Sequence, residues 1–288
     1  MCAVQTPDEV IYHPQYRFLM ITTASIDTPT LRSFRVLGVR VHAVQIPDVI
    51  AEMERWISVR DKTNFIAVTG MHGVAGAQGD ASLRQILNAA DMVVPDGMPL
   101  VWLGRRRGFA LARRVYGPEL MLDFLASSER RGYRHFLYGG ADGVPEKLAS
   151  RLLERFPRLK IVGMYSPPFR PLNSDEEREV LGMINRAAPD VLWIGLSTPK
   201  QERWMYEYRD RLRVPVLVGV GAAFDICSGR TRQAPQFMRE HGLEWLFRLF
   251  SEPRRLWRRY LLGGSRFAWN VLLEETGLKK FGVITHVK

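Results

Sequence analysis

The chain has only two cysteines, Cys2 and Cys227, in 288 residues. That is too few for a disulfide framework, and a reducing, cytoplasmic setting is the natural reading. No stretch of about twenty uninterrupted apolar residues occurs, so a membrane-spanning helix is not expected. The N-terminus lacks a basic start followed by an apolar run, which argues against a signal peptide. Gly-Lys-Ser/Thr and Gly-x-Ser-x-Gly are both missing, leaving a Walker-type NTPase and the usual serine hydrolase without support. The nearest approach to a dinucleotide fingerprint, "GVGAAF" at 219–224, ends in Phe and follows a late strand, so NAD is not expected. His72, His135 and His241 show no paired metal spacing and read as structural, although His72 falls in a glycine-bearing loop.

What is present is a soluble globular composition, 46% hydrophobic and 25% charged. The net charge of +11 is unevenly placed. Residues 230–288 carry 12 Lys and Arg against 5 Asp and Glu, and such a basic tail suggests an anionic partner or a merely solvated face. Residues 1–34 show little periodicity and read as a poorly structured extension. From 35 to 235, apolar runs at 65–68, 92–94, 135–140, 160–165, 191–196 and 214–221 alternate with segments of helical spacing. The fold class expected is α/β, a mostly parallel sheet with helices on both faces. Residues 236–288 read as a C-terminal helical appendage without strands. Within it, Pro253 suits a helix start, and Leu256, Trp257, Tyr260 and Leu261 form an apolar stripe among Arg254, Arg255, Arg258 and Arg259. A basic amphipathic helix of this kind can lie on an anionic membrane surface, or pack its stripe on the core and leave the arginines in water.

Ligands of open α/β sheets bind beyond the carboxyl ends of the strands. Five glycine-bearing loops fall at that edge: "TGMHG" (69–73), "PDG" (95–97), "YGGADG" (138–143), "GLSTPKQE" (195–202) and "GVGAAFD" (219–225). Asp96 stands where Pro95 ends a strand, and Asp-Gly is by itself an ordinary turn pair. No Asp-x-Asp is available to hold a divalent metal for a leaving diphosphate. Arginines and backbone N–H groups would have to neutralise it instead.

Taken together, "LNAADMVVPDGMPLVW", "RVYGPELM", "FLYGG", "GLSTPKQERWM", "GVGAAFD", "RQAPQFM" and "GLEWLFRLFSEPRRLWRRY" resemble the WecG/TagA/CpsF family of bacterial glycosyltransferases from about Leu37 to Phe267. The resemblance implies a Rossmann-like fold and an inverting, metal-independent transfer. The sugar passes from a UDP-sugar to a polyprenyl-diphosphate-linked acceptor, on the inner face of the plasma membrane. It implies Asp96 as general base, Thr69 near the sugar, Arg114 against diphosphate charge and Gln201 making paired hydrogen bonds to a sugar. Gly139, Gly140, Lys200, Glu202, Gly221, Ala222 and Asp225 would surround the nucleotide-sugar. Arg248, Arg255 and Arg258 would complete the site beside the membrane, with Arg254 and Arg259 towards lipid. Many relatives carry "TxN" at the first loop, where this chain has Met71 and His72, which opens the donor to N-acetylmannosamine, its uronic acid or glucose. Two alternatives remain at this point: a basic nucleic-acid-binding protein, motivated by the charge, and a nucleotide-sugar binder or hydrolase without a lipid acceptor.

Overall fold

A computed structural model of the chain describes residues 31–282, apart from the side chains of Glu240, Arg255 and Arg259. Residues 1–30 of the expected extension therefore lie outside it. An antiparallel hairpin, β1 (Ser33–Val36) and β2 (Val39–His42), comes first. Six parallel strands then form the central sheet: β3 (Asn64–Thr69), β4 (Met92–Pro95), β5 (Arg134–Gly139), β6 (Lys160–Tyr165), β7 (Val191–Gly195) and β8 (Val216–Gly219). Their order across the sheet is β4-β3-β8-β7-β5-β6. The strands fall on the six apolar runs. In β3, β4, β7 and β8 the runs are continuous rather than alternating because both faces are covered, while the edge strand β6 is only half-buried. Ile66, Val68, Val94, Trp193 and Val218 pack on one side, and Phe65, Ala67, Val93, Ile194 and Leu217 on the other.

Helices α1 (Ile46–Val59), α2 (Met71–Gly76), α3 (Ala81–Ala89), α4 (Met98–Arg106) and α5 (Gly117–Arg131) surround the first half of the sheet. Helices α6 (Val144–Arg155), α7 (Ser174–Ala187), α8 (Lys200–Tyr208) and α9 (Ala223–Cys227) belong to the second. Local signals set several ends. Asn173 accepts hydrogen bonds from the Asp175 and Glu176 N–H groups while Glu176 reaches back to the Asn173 N–H, a complete capping box for α7. Helix α5 stops where Gly132 turns left-handed at φ 74°. Helix α8 gives way directly to a 3₁₀ turn at Arg209–Arg211.

The C-terminal segment is helical, as expected: α10 (Gln236–Glu240), α11 (Glu244–Ser251), α12 (Pro253–Trp257), a π turn at Arg258–Leu262 and α13 (Gly263–Glu275). It is fastened to the core along α13. Phe267 is buried there, Leu37 N–H donates to Glu274 Oε1 at 2.9 Å, and Arg107 pairs with both Glu274 and Glu275. The apolar stripe does not stay together, because helix and π turn rotate its members apart. Leu256 is buried and Tyr260 faces a cleft, while Trp257 and Leu261 are exposed. Among the described residues no helix is long and apolar enough to cross a membrane.

Candidate active site

A cleft of about 200 Å³ opens at the carboxyl ends of β3, β4, β7 and β8. Its floor carries Asp96. Strand β4 lies at the sheet edge, paired only with β3, and Thr69 is opposite Pro95. The ladder continues one step further, since the Asp96 N–H donates to the Thr69 carbonyl at 3.0 Å. The carboxylate is thereby fixed by backbone pairing just where the strand ends, and its Oδ1 accepts from the Gly117 N–H at 3.3 Å. Burial pushes the Asp96 pKa up to about 6. Arg114 and Arg248 oppose that shift, as does the Gly117 hydrogen bond, while the negative charge of Glu244 reinforces it. A carboxyl titrating near 6 is a far better proton acceptor at neutral pH than an ordinary aspartate.

Arg114 stands beside this floor. Its Nη1 donates to the Asp96 carbonyl at 3.4 Å, its Nη2 pairs with Glu244, and its guanidinium lies 4.1 Å from the centre of the Tyr116 ring. The Tyr116 hydroxyl donates to the other oxygen of Glu244 at 3.1 Å. Glu244, at the start of α11, is 7% exposed. A buried carboxylate is tolerated only when its oxygens are engaged, and Arg114 and Tyr116 engage both. The C-terminal segment thus meets the sheet edge at a buried ion pair adjoining Asp96. Arg248, one turn further along α11, also lines the cleft, with Trp245 and Tyr260.

The remaining expected residues divide. Gly221, Ala222 and Asp225 line the cleft together with Gln201, His72 and Gly70. Gln201 is nearly buried, and its Nε2 donates to the Gly219 carbonyl at 3.1 Å and to Glu202 Oε1 at 3.2 Å. Both amide hydrogens are then committed, leaving Oε1 without a hydrogen-bond partner. Gln201 can therefore accept one hydrogen bond from a ligand hydroxyl or N–H, which corrects the expectation of paired bonds. Glu202 lies behind it, wholly buried, taking a 2.8 Å hydrogen bond from Thr198; burial raises its pKa against the effect of the Thr198 and Gln201 hydrogen bonds. It supports Gln201 rather than lining the cleft.

Thr69 is wholly buried, and its side chain faces Gly73 of α2, where an added Cβ would lie 2.1 Å from the Thr69 Oγ1. What it supplies is the carbonyl that holds Asp96. Gly139 and Gly140 also lie away from this cleft. Gly139 has φ 119° and backs directly onto Gly195, whose carbonyl carbon would be 2.8 Å from a Cβ; Gly140 has φ 79° and backs onto Val144. Close packing, rather than a phosphate cradle, accounts for both glycines. Lys200 is exposed at the start of α8 and is not part of the lining. Arg254 and Arg258 are exposed, the latter 5.3 Å above the Trp257 ring; the side chains of Arg255 and Arg259 lie outside the described residues. Two contributors were not singled out from sequence, Tyr116 and Glu244. Both occur inside the quoted blocks "RVYGPELM" and "GLEWLFRLF", but nothing in either string marks its polar residue as buried.

The glycosyl transferase WecG/TagA/CpsF family model matches residues 34–281. An N-acetylglucosaminyldiphosphoundecaprenol N-acetyl-beta-D-mannosaminyltransferase of Bacillus spizizenii is 30% identical over 217 residues, 75% of this chain and 82% of the relative. The like-named protein of Bacillus subtilis is 31% identical, covering 70% and 76%, and that of Staphylococcus aureus (strain MW2) 25%, covering 77% and 86%. With the match running from the hairpin through α13, and the sheet-edge cleft in place, the chain belongs to the WecG/TagA/CpsF family of glycosyl transferases.

Proposed function

We propose that the protein transfers a sugar from a UDP-sugar to a sugar carried on a polyprenyl diphosphate, with inversion and without a metal ion, at the inner face of the plasma membrane. The observation that carries this reading is Asp96, a carboxyl with its pKa raised to about 6 at the end of β4, in a cleft it shares with Arg114 and Arg248. In a single displacement the acceptor oxygen bonds to the anomeric carbon as the bond from that carbon to the donor's phosphate oxygen breaks. The bonding pair leaves with UDP, and the acceptor's proton passes to Asp96. Arg114 and Arg248 are the cations at hand for the departing diphosphate. The donor surrounds itself with Gly221, Ala222 and Asp225, and Gln201 accepts from one of its hydroxyl or amide hydrogens. The relatives' names support N-acetylmannosamine as donor sugar and N-acetylglucosaminyl-diphosphoundecaprenol as acceptor.

The test is a panel of UDP-sugars offered with a polyprenyl-diphosphate-linked N-acetylglucosamine, with products identified by mass and the new anomeric centre by NMR. Transfer with inverted configuration that persists in excess chelator is expected. UDP release that does not require the acceptor would identify a hydrolase instead, and rescue by Mg²⁺ or Mn²⁺ after chelation would overturn metal independence.

A further inference from the structure

A second cleft, of about 590 Å³, shares two walls with the first, Met98 and Arg114. Around it stand Arg105, Arg113 and, from the C-terminal segment, Arg239. The carboxylate in its lining, Glu119, is already engaged by Arg239. Arg105 is held in a set orientation by the Leu111 and Ala112 carbonyls, which accept from its Nε and Nη2. The cleft is thus a concentration of oriented guanidinium groups, the arrangement suited to the oxygens of a phosphate or diphosphate. It also has an apolar flank. Trp102 in its lining is 51% exposed, and Met98 lines it as well.

We propose that this second cleft holds the diphosphate of the lipid-linked acceptor, with the prenyl chain leaving over Trp102. The proposal rests on the transferase reading above and adds a place to it. A transfer between two diphosphate-linked substrates must seat two dianionic groups at once, and two such anions repel unless each has its own set of guanidinium groups. In the acceptor, the diphosphate is separated from the attacking hydroxyl by one sugar ring. Its site must therefore adjoin the base without containing it. Arg114 supplies that adjacency, lining both clefts while hydrogen-bonded to the Asp96 backbone. The exposed Trp102 gives an isoprenoid chain apolar surface to follow out of the cleft.

The probe is farnesyl diphosphate, titrated into the intact protein saturated with UDP, beside acceptor and donor KM values. Farnesyl diphosphate is expected to bind without displacing UDP. The double variant Arg105→Gln/Arg113→Gln should weaken that binding about tenfold or more, as expected for lost charge-assisted hydrogen bonds. Acceptor KM should rise in parallel while UDP affinity stays within about twofold, an internal check that the variant is folded. Arg113→Gln alone, which leaves the pinned Arg105 in place, should show a smaller loss in the same direction. Competition between farnesyl diphosphate and UDP would overturn the proposal, as would unchanged farnesyl diphosphate affinity in the double variant. Loss of phosphatidylglycerol-vesicle binding alone, with acceptor KM unchanged, would reassign these arginines to lipid headgroups. If the wild-type protein transfers no sugar to any polyprenyl-diphosphate acceptor, the transferase reading fails, whereas the ternary binding experiment still judges the cleft.

Discussion

The two walls of the catalytic cleft are built by different means. On the sheet side, Asp96, Gly221 and Gln201 sit on or beside strand ends whose apolar side chains are almost wholly buried, and a backbone hydrogen bond or a committed amide fixes each group. On the C-terminal side, Glu244 and Arg248 come from a helix whose Phe250 is 78% exposed, followed by Trp269 at 61%. The sheet wall holds atoms in place, and the helical wall brings charge and keeps apolar surface in the open. A buried carboxylate, Glu244, joins them. On the proposed function, the difference means that the site divides its labour, with proton chemistry on the rigid side and anion and interface contacts on the other.

The sharpest way to break the comparison is at the base. Asp96→Asn keeps size and turn preference but removes the proton acceptor, so kcat should fall by about 10²–10⁴-fold with UDP binding retained. Near-normal turnover by the folded variant would move the base elsewhere. Next in size is a contrast within α13. Phe267→Ala empties a core position and should cost about 3–5 kcal/mol in denaturant unfolding. Trp269→Ala, two residues on and exposed, should stay within about 0.5 kcal/mol. Equal losses would mean that α13 does not anchor the tail as described.

A subtler effect belongs to the junction. As a base, Asp96 works deprotonated, so the rate should be full above its pKa of about 6 and fall as pH drops through it. Glu244→Gln removes a negative charge that raises that pKa and frees Arg114 to approach the carboxylate. The acid limb of the kcat profile should therefore move to lower pH. A limb that stays in place or moves upward would show that Glu244 does not tune Asp96. The smallest effect is expected outside. Arg254 is exposed on α12, and Arg254→Glu should weaken binding to anionic vesicles by about 1 kcal/mol per charge lost. The difference should fade as salt rises, and a loss that ignores salt would point to packing instead.

Much of the sheet wall was legible in the sequence because burial on both faces writes itself as short unbroken apolar runs. The strand-end position of Asp96 was legible because Pro95 marks where β4 must stop, whereas its reading as a base came from the family resemblance. The hairpin β1–β2 was not legible, since β1 alternates exposed and buried residues and Arg40 interrupts β2, so neither writes an unbroken apolar run, and α2 begins inside a string that reads first as a loop. Thr69 and Gly139 could not be placed from sequence for one reason: a residue type suited to a ligand equally suits tight packing, and only the direction of the side chain or the neighbour behind it distinguishes the two. Glu244 was hidden by its company. In a segment dense in arginine, an acidic residue looks like surface balance, and only the fold brings it to Arg114 and Tyr116.

That junction also sets a clock. Arg114 and Glu244 lie 130 residues apart in the chain. At a synthesis rate of roughly 5–20 residues per second, the ribosome delivers the second about 7 to 26 s after the first. For that interval the nascent chain carries Asp96 while the cations and aromatic residues of α11 do not yet exist. On the proposed function, competence would therefore arrive late, and a stalled or truncated chain would lack the helix that closes its cleft.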